Sequence, residues 1–236
     1  MGGFFQFAKS SIGSKVLMAL SGAVLLLWIT GHMLGNLQIY AGQDALNSYA
    51  EKLRSVAVFL YVVRVVMLVI VLTHIVTSVM LWVENRRARS SRYAYNNTVQ
   101  ATVGSRTMIW SGLLVFVFVI YHLAHLTWGQ IHPEFAHLVQ KLPGGGERPD
   151  VYSMVVLGYQ NGLISGSYII AMLCLWFHLS HGFSSLFQTL GLTSVKYRPL
   201  IERAGPVFAT IVVAANISIP LTVLLGLVKP AVGGLP

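Results

Sequence analysis

The sequence predicts an all-α integral membrane protein, a bundle of five transmembrane helices forming one domain over residues 1–236. Three observations predict it: 55% of the 236 residues are hydrophobic, only 10% are charged, and the mean hydropathy is +0.69. Soluble domains carry about a quarter charged residues, so the 16 basic and 7 acidic side chains here leave stretches too apolar for water. A cytosolic enzyme is thereby excluded. The single cysteine, Cys174, lies inside an apolar run. It excludes an intrachain disulfide framework, a Cys-ligated zinc site and a Cys-ligated iron–sulfur cluster.

The uncharged runs give the elements in order. The first extends from Val16 to Gln43, and the second from Ser55 to Val83 with only Arg64 interrupting it; the others are Thr107 to Pro133, Val151 to Val195 and Ala204 to Val228. Each exceeds the ~20 residues that a helix needs to cross the hydrocarbon core. Helices are therefore expected at about 14–40, 56–84, 106–129, 163–190 and 204–228. The fourth run is long enough to place an interfacial segment, Val151 to Tyr159, ahead of its helix, while PGGGERPD (Pro143 to Asp150) reads as a flexible loop. The N-terminus, MGGFFQFAKSSIGSK, has no small-residue cleavage site after a short apolar core and is expected to be retained.

In a soluble protein a net charge of +9 would suggest nucleic acid. These charges sit between apolar runs, so the lipid bilayer is the expected partner and nucleic acid is not. Lys9, Lys15, Arg86, Arg87, Arg89, Arg92, Arg106, Lys196, Arg198 and Arg203 fall on one side, against Lys52, Arg54, Lys141, Arg148 and Lys229 on the other. The richer side faces the cytoplasm by the positive-inside rule, which puts the N-terminus in.

Histidines are the main polar content of the spans. His32 lies in the first, His74 in the second, His122 and His125 in the third, His178 and His181 in the fourth; His132 and His137 fall in the outer loop and the fifth span has none. One histidine in a membrane helix is commonly a hydrogen-bonded core residue. Four successive helices carrying them need another account. Each histidine comes late in its helix, and neighbouring helices run in opposite directions, so the set divides into an outer layer with His32 and His122 and an inner layer with His74 and His178. Each layer offers one imidazole from each of two helices. Two six-coordinate haems between the first four helices require that arrangement, an axial nitrogen on either side of each iron.

Spacing of three puts His122 with His125, and His178 with His181, on one helix face. Zinc or copper is the weaker assignment for these pairs, because they sit at different depths and no span supplies the inward glutamates of di-metal bundles. Within each pair, one member is the ligand and the other supports it or meets a propionate. Gly31, Gly35, Ser78 and Gly182 stand close to the histidines in sequence, which suits either a macrocycle or close helix packing. Arg64 needs a partner at membrane depth or a route to the outer interface, and the carboxylates of the outer haem are its candidate partner.

The order and context of these residues resemble the single-chain, five-helix, two-haem cytochrome b subunit of succinate dehydrogenase and fumarate reductase, the membrane anchor of respiratory complex II. The resemblance rests on LLLWITGHMLGN, GQDALNSYAEKLRS, VLTHIVTSVMLW, VFVIYHLAHLTW and LWFHLSHGFSSLF, in that order along the chain. It implies His178 rather than His181 as the ligand in FHLSHG, and His122 rather than His125 in YHLAH. It also implies two haems b, docking of a flavoprotein and an iron–sulfur subunit on the cytoplasmic face, and electron exchange with a quinone, menaquinone in the usual two-haem members. A bacterial cytoplasmic membrane and a higher oligomer of the whole complex fit the same family. Succinate chemistry would then lie on the partner subunits and not on this chain. One feature departs from the family: some relatives place a glutamate on the last helix as a proton path, whereas the fifth span has Thr210, Asn216 and Thr222 but no acid. A di-haem anchor of a formate dehydrogenase or hydrogenase, and a histidine-containing transporter without haem, are the alternative functions.

The charge asymmetry makes a direct prediction. Single cysteines at Ser90 and at Gly145 should react with an impermeant thiol reagent from opposite sides of the membrane, and labelling of both from one side would overturn the orientation.

Overall fold

The computed structural model describes residues 2–88 and 102–231. Arg89 and Arg92, counted above on the cytoplasmic side, and Ser90 lie outside the described residues. A short α1 (Gly2–Lys9) precedes α2 (Ser11–Asn36), which a 3-10 turn, Leu37–Ala41, prolongs. Ser10 caps α2 by accepting the Gly13 N–H at 3.0 Å. Gly42, in the left-handed region at φ 98°, turns the chain into α3 (Gln43–Ser55). Next come α4 (Ala57–Arg87) and α5 (Val103–His122), the latter capped by Thr102 and ending in a single π-turn, Leu123–Thr127. A two-stranded antiparallel hairpin, β1 (Val139–Lys141) and β2 (Glu147–Pro149), leads into α6 (Val151–Gln160), α7 (Gly162–Thr189) and α8 (Arg198–Leu224).

Five of these helices are long and apolar enough to cross a membrane, between 25 and 31 residues each once the 3-10 turn and the π-turn are included. They are apolar on nearly all sides, and large side chains such as Leu27, Val58, Phe59, Leu163 and Ile170 lie exposed on the outside. That is the pattern of a bundle in lipid. The boundaries differ from expectation mainly at α8, which begins at Arg198. Its first turn holds a proline near the start, where no N–H is needed, and the Arg198–Glu202 ion pair at 2.8 Å. The apolar run therefore marks only part of the helix.

Packing is uneven. α2 lies along α4, α5 lies along α7, and α7 and α8 form the most extensive contact; α2 also meets α7 and α8. By contrast α4 touches α5 only slightly and makes no extended packing with α7. One core of Met33, Met172, Leu175, Leu179, Ala209, Val212 and Val213 joins α2, α7 and α8, and a second, including Ile39, Tyr152, Val156 and Tyr168, sits beneath the cap described next.

At one end α3, the hairpin and α6 build a cap. The segment PGGGERPD, expected as a flexible loop, is instead the hairpin tip, strand β2 and the Asp150 cap of α6; it is ordered because Arg148 is buried, at 6% exposure, among partners from α3. Arg148 donates to Asp44, to Ser48 Oγ at 2.6 Å and to Gln140 Oε1 at 2.9 Å. Asn47, fully buried, donates to Gln140 at 2.8 Å and to Asp150 at 2.9 Å, and accepts the Tyr152 N–H at 2.9 Å. Burial pushes Asp150 up, yet the donors Ser153 N–H, Asn47 and Gln43 outweigh it and hold its carboxyl below the usual range.

A group whose folded pKa lies below its unfolded value contributes stability above the ordinary aspartate range, and loses it as pH falls through the lowered value. Amide protection over residues 139–160, taken relative to the intrinsic exchange rate at each pH, should therefore fall on acidification, and Asp150→Asn should remove most of that dependence. Asn47→Ala should destabilise the cap at all pH values by about 1–3 kcal/mol, the cost of leaving buried polar groups unpaired.

Candidate functional site

Four histidines meet in two pairs, each formed across helices. His32 on α2 and His122 on α5 bring their ring centroids to 5.8 Å with planes at 89°; His74 on α4 and His178 on α7 stand at 6.3 Å and 72°. The His32–His122 pair lies toward the cap and the His74–His178 pair toward the opposite end, since α2 and α5 run toward the cap while α4 and α7 run away from it. These are the two layers expected from helix direction.

The remaining two membrane histidines are engaged elsewhere. His125 sits on the π-turn that ends α5. It is 3% exposed and its Nδ1 lies 2.9 Å from the Tyr168 hydroxyl. A π-turn inserts a residue into the helical register, and His125 stays beside His122 through the Tyr168 hydroxyl that both rings contact. A methyl group at Gly158 would approach His125 Nε2 to 2.8 Å, so α6 can cover the ring only because that position is glycine. His181 bonds Ser185 on its own helix at 3.1 Å, with its Cβ close to Gly104 of α5. In the outer loop, His132 bonds Glu134 at 2.9 Å and its ring lies 5.8 Å from that of His125.

Around the cap-side pair the surroundings are aromatic. Trp28 lies parallel to His32 at 6.2 Å, and Phe118 and Tyr168 stand beside His122, with the Tyr168 hydroxyl 3.4 Å from His122 Nδ1. Tyr159 and Tyr121 pack on Tyr168 in turn. The other pair is bordered by small and hydroxylated residues: His74 Nδ1 is 3.2 Å from both Ser21 Oγ and the Met18 carbonyl, and His178 Nδ1 is 3.4 Å from Ser111 Oγ.

Small residues near the histidines in sequence take other roles. Gly35 accommodates the Tyr49 ring, Gly31 has nothing within 4 Å, Ser78 bonds the His74 carbonyl at 2.6 Å and Gly182 faces Met108. Beside Gly158 against His125, Gly22 and Gly112 touch the imidazoles of His74 and His178. Taken one at a time, neither these nor Tyr168 stands out in a membrane sequence rich in small and aromatic residues. Arg64 is exposed on α4, one turn and more inside its start, and takes part in none of the ion pairs found among the described residues.

Each layer sets two imidazole rings at a separation that two ligands of one metal could take. Two imidazoles on opposite sides of one metal, at bonds of about 2 Å, bring their centroids about 6 Å apart, close to both separations. Among the described residues no three or more His, Cys, Asp or Glu side chains converge, so each layer offers a metal two imidazoles. The scant packing of α4 against α5 and α7 leaves that helix held to the opposite hairpin by little besides the His74–His178 approach. Compared with protein-family models, with curated proteins and with solved structures, the chain matches none of them.

Proposed function

We propose that this chain is the di-haem cytochrome b anchor of a succinate:quinone oxidoreductase, carrying electrons between a docked iron–sulfur subunit and a membrane quinone. The observation that supports it most is the meeting of four imidazoles from four helices as two separate pairs, one per layer. His74 and His178 would hold one haem b and His32 and His122 the other, with Arg64 the candidate partner of a propionate of the cap-side haem. Bound haem supplies one-electron transfer. The chain's own residues would supply two imidazole nitrogens to each site, exclude water by lipid-facing apolar helices, and tune the local field through the hydroxyls that touch His74, His122 and His178.

Orientation completes the reading. The end bearing Arg86, Arg87 and Arg106 would face the cytoplasm of a bacterial cell, and the flavoprotein and iron–sulfur subunits would dock there, nearer the His74–His178 site than the other pair. Menaquinone is the quinone proposed, by resemblance alone.

The purified complex should contain two low-spin b-type haems per chain. His74→Ala and His178→Ala should each remove one and the same spectral component, since one imidazole cannot hold the six-coordinate state, and His32→Ala and His122→Ala should remove the other. His125→Ala and His181→Ala should leave both. Loss of a common component in His32→Ala and His74→Ala would overturn the pairing. Flavin and succinate-reducible iron–sulfur clusters should co-purify; a molybdenum or nickel enzyme in their place would move the anchor to the formate dehydrogenase or hydrogenase class, and a colourless chain would remove the redox reading altogether.

A further inference from the structure

The first and third spans carry the same residues at the same spacing. α2 contains Met18, then Ser21 and Gly22, then His32 after nine intervening residues; α5 contains Met108, then Ser111 and Gly112, then His122 after nine. The structure gives the two sets equivalent neighbours. Ser21 Oγ lies 3.2 Å from His74 Nδ1 on the helix packed beside it, and Ser111 Oγ lies 3.4 Å from His178 Nδ1 on the helix packed beside that one. A methyl group at Gly22 would stand 3.3 Å from His74 Cε1, and at Gly112 3.2 Å from His178 Cε1. The Met18 carbonyl adds a bond to His74 Nδ1 at 3.2 Å.

We infer that α2–α4 and α5–α7 are two copies of one ligand-orienting hairpin, in which Ser21 and Ser111 are positioning residues that hold His74 and His178 in the Nδ1–H tautomer with Nε2 free to bind a metal. The assignment follows from counting protons. A serine hydroxyl has one to give. Ser21 gives it to the Leu17 carbonyl at 2.7 Å, with the Met18 carbonyl at 3.1 Å, and Ser111 gives it to the Met108 carbonyl at 3.1 Å. Toward the imidazole each oxygen can then only accept, and a carbonyl can only accept, so Nδ1 carries the hydrogen. A neutral imidazole has a single N–H, which leaves the Nε2 lone pair unprotonated. The glycine that follows each serine removes the Cβ that would hold the ring off the neighbouring backbone, so the ring lies close enough for the contact.

The cap-side pair is oriented differently. There His122 Nδ1 faces the Tyr168 hydroxyl, itself shared with His125 at 2.9 Å. The two layers therefore differ in what tunes them: a serine at each ring in one, joined at His74 by a main-chain carbonyl, and a buried tyrosine in the other. An acceptor on Nδ1–H makes the ring a better donor to a metal and favours its oxidised state, so removing it should raise the reduction potential.

This inference rests on the di-haem reading for its redox consequence but not for the tautomer, and the experiment separates them. In the purified complex, Ser21→Ala and Ser111→Ala should each shift the midpoint potential of the His74–His178 component upward and alter its low-spin g-values, with a larger shift in the double variant. The other component should not move. Ser21→Thr and Ser111→Thr, which keep a hydroxyl, should restore the wild-type values. Unchanged potentials and g-values, a shift confined to the other component, or equal shifts in the Ala and Thr variants would overturn the inference. Nitrogen-15 spectra of the histidine-labelled full chain in bilayers should place the hydrogen of His74 and His178 on Nδ1 whether or not haem is present. A chain without a Soret band would end the haem reading alone, whereas a hydrogen on Nε2 in that chain would end this one.

Discussion

A polar ring at membrane depth must find its partner inside the protein, because hydrocarbon offers it none. The arrangement of the four central helices follows from that constraint. Within each hairpin, α2 with α4 and α5 with α7, the helices hold together by ordinary apolar packing. Between the hairpins the imidazoles meet crosswise, α2 to α5 and α4 to α7. The residues that lipid would least tolerate thus meet across the two halves, beside the apolar α2–α7 core, and they do so at two depths because the helices alternate in direction.

The remaining elements brace this core from one side and one end. α8 lies against α7 and α2, and Ala209, Val212 and Val213 pack into the α2–α7 seam. No comparable brace lies on α4, which has the least buried central stretch of the five long helices. At the cap end, α6 and the π-turn of α5 bury His125, and the Tyr168 hydroxyl links that histidine to His122. Cap and histidine layer are in this way continuous.

The sequence made the spans legible because absence of charge over twenty residues has one structural solution in lipid. Helix direction alternates by necessity, so the depth of His32, His74, His122 and His178 could be read from their places along the chain. Helix ends were less legible where polar residues continue the helix beyond the apolar run, as Arg198 and Glu202 do at the start of α8. The cap was missed for a different reason. Arg148 looks like one more outer basic residue until Asp44, Ser48 and Gln140 are known to surround it, and those partners come from distant parts of the chain. Nothing in YHLAH announces the π-turn or the Tyr168 hydroxyl that His122 and His125 share.

The cap has a bearing on the order in which the chain can complete itself. Its bonds join residues far apart in sequence: Gln43 to Asp150 across 107 positions, Asn47 to Tyr152 across 105. A ribosome delivers α2, α3 and α4 well before the hairpin and α6 exist, so for that interval Asn47 and Ser48 have only water to satisfy them. Closing so long a loop is entropically slow, and the bonds that reward it form only when β2 and Asp150 arrive. The cap therefore acts as a late clasp. It can shut once residue 153 is in place, while α7 and α8, which bring His178 and the apolar core against α2, are still to be made.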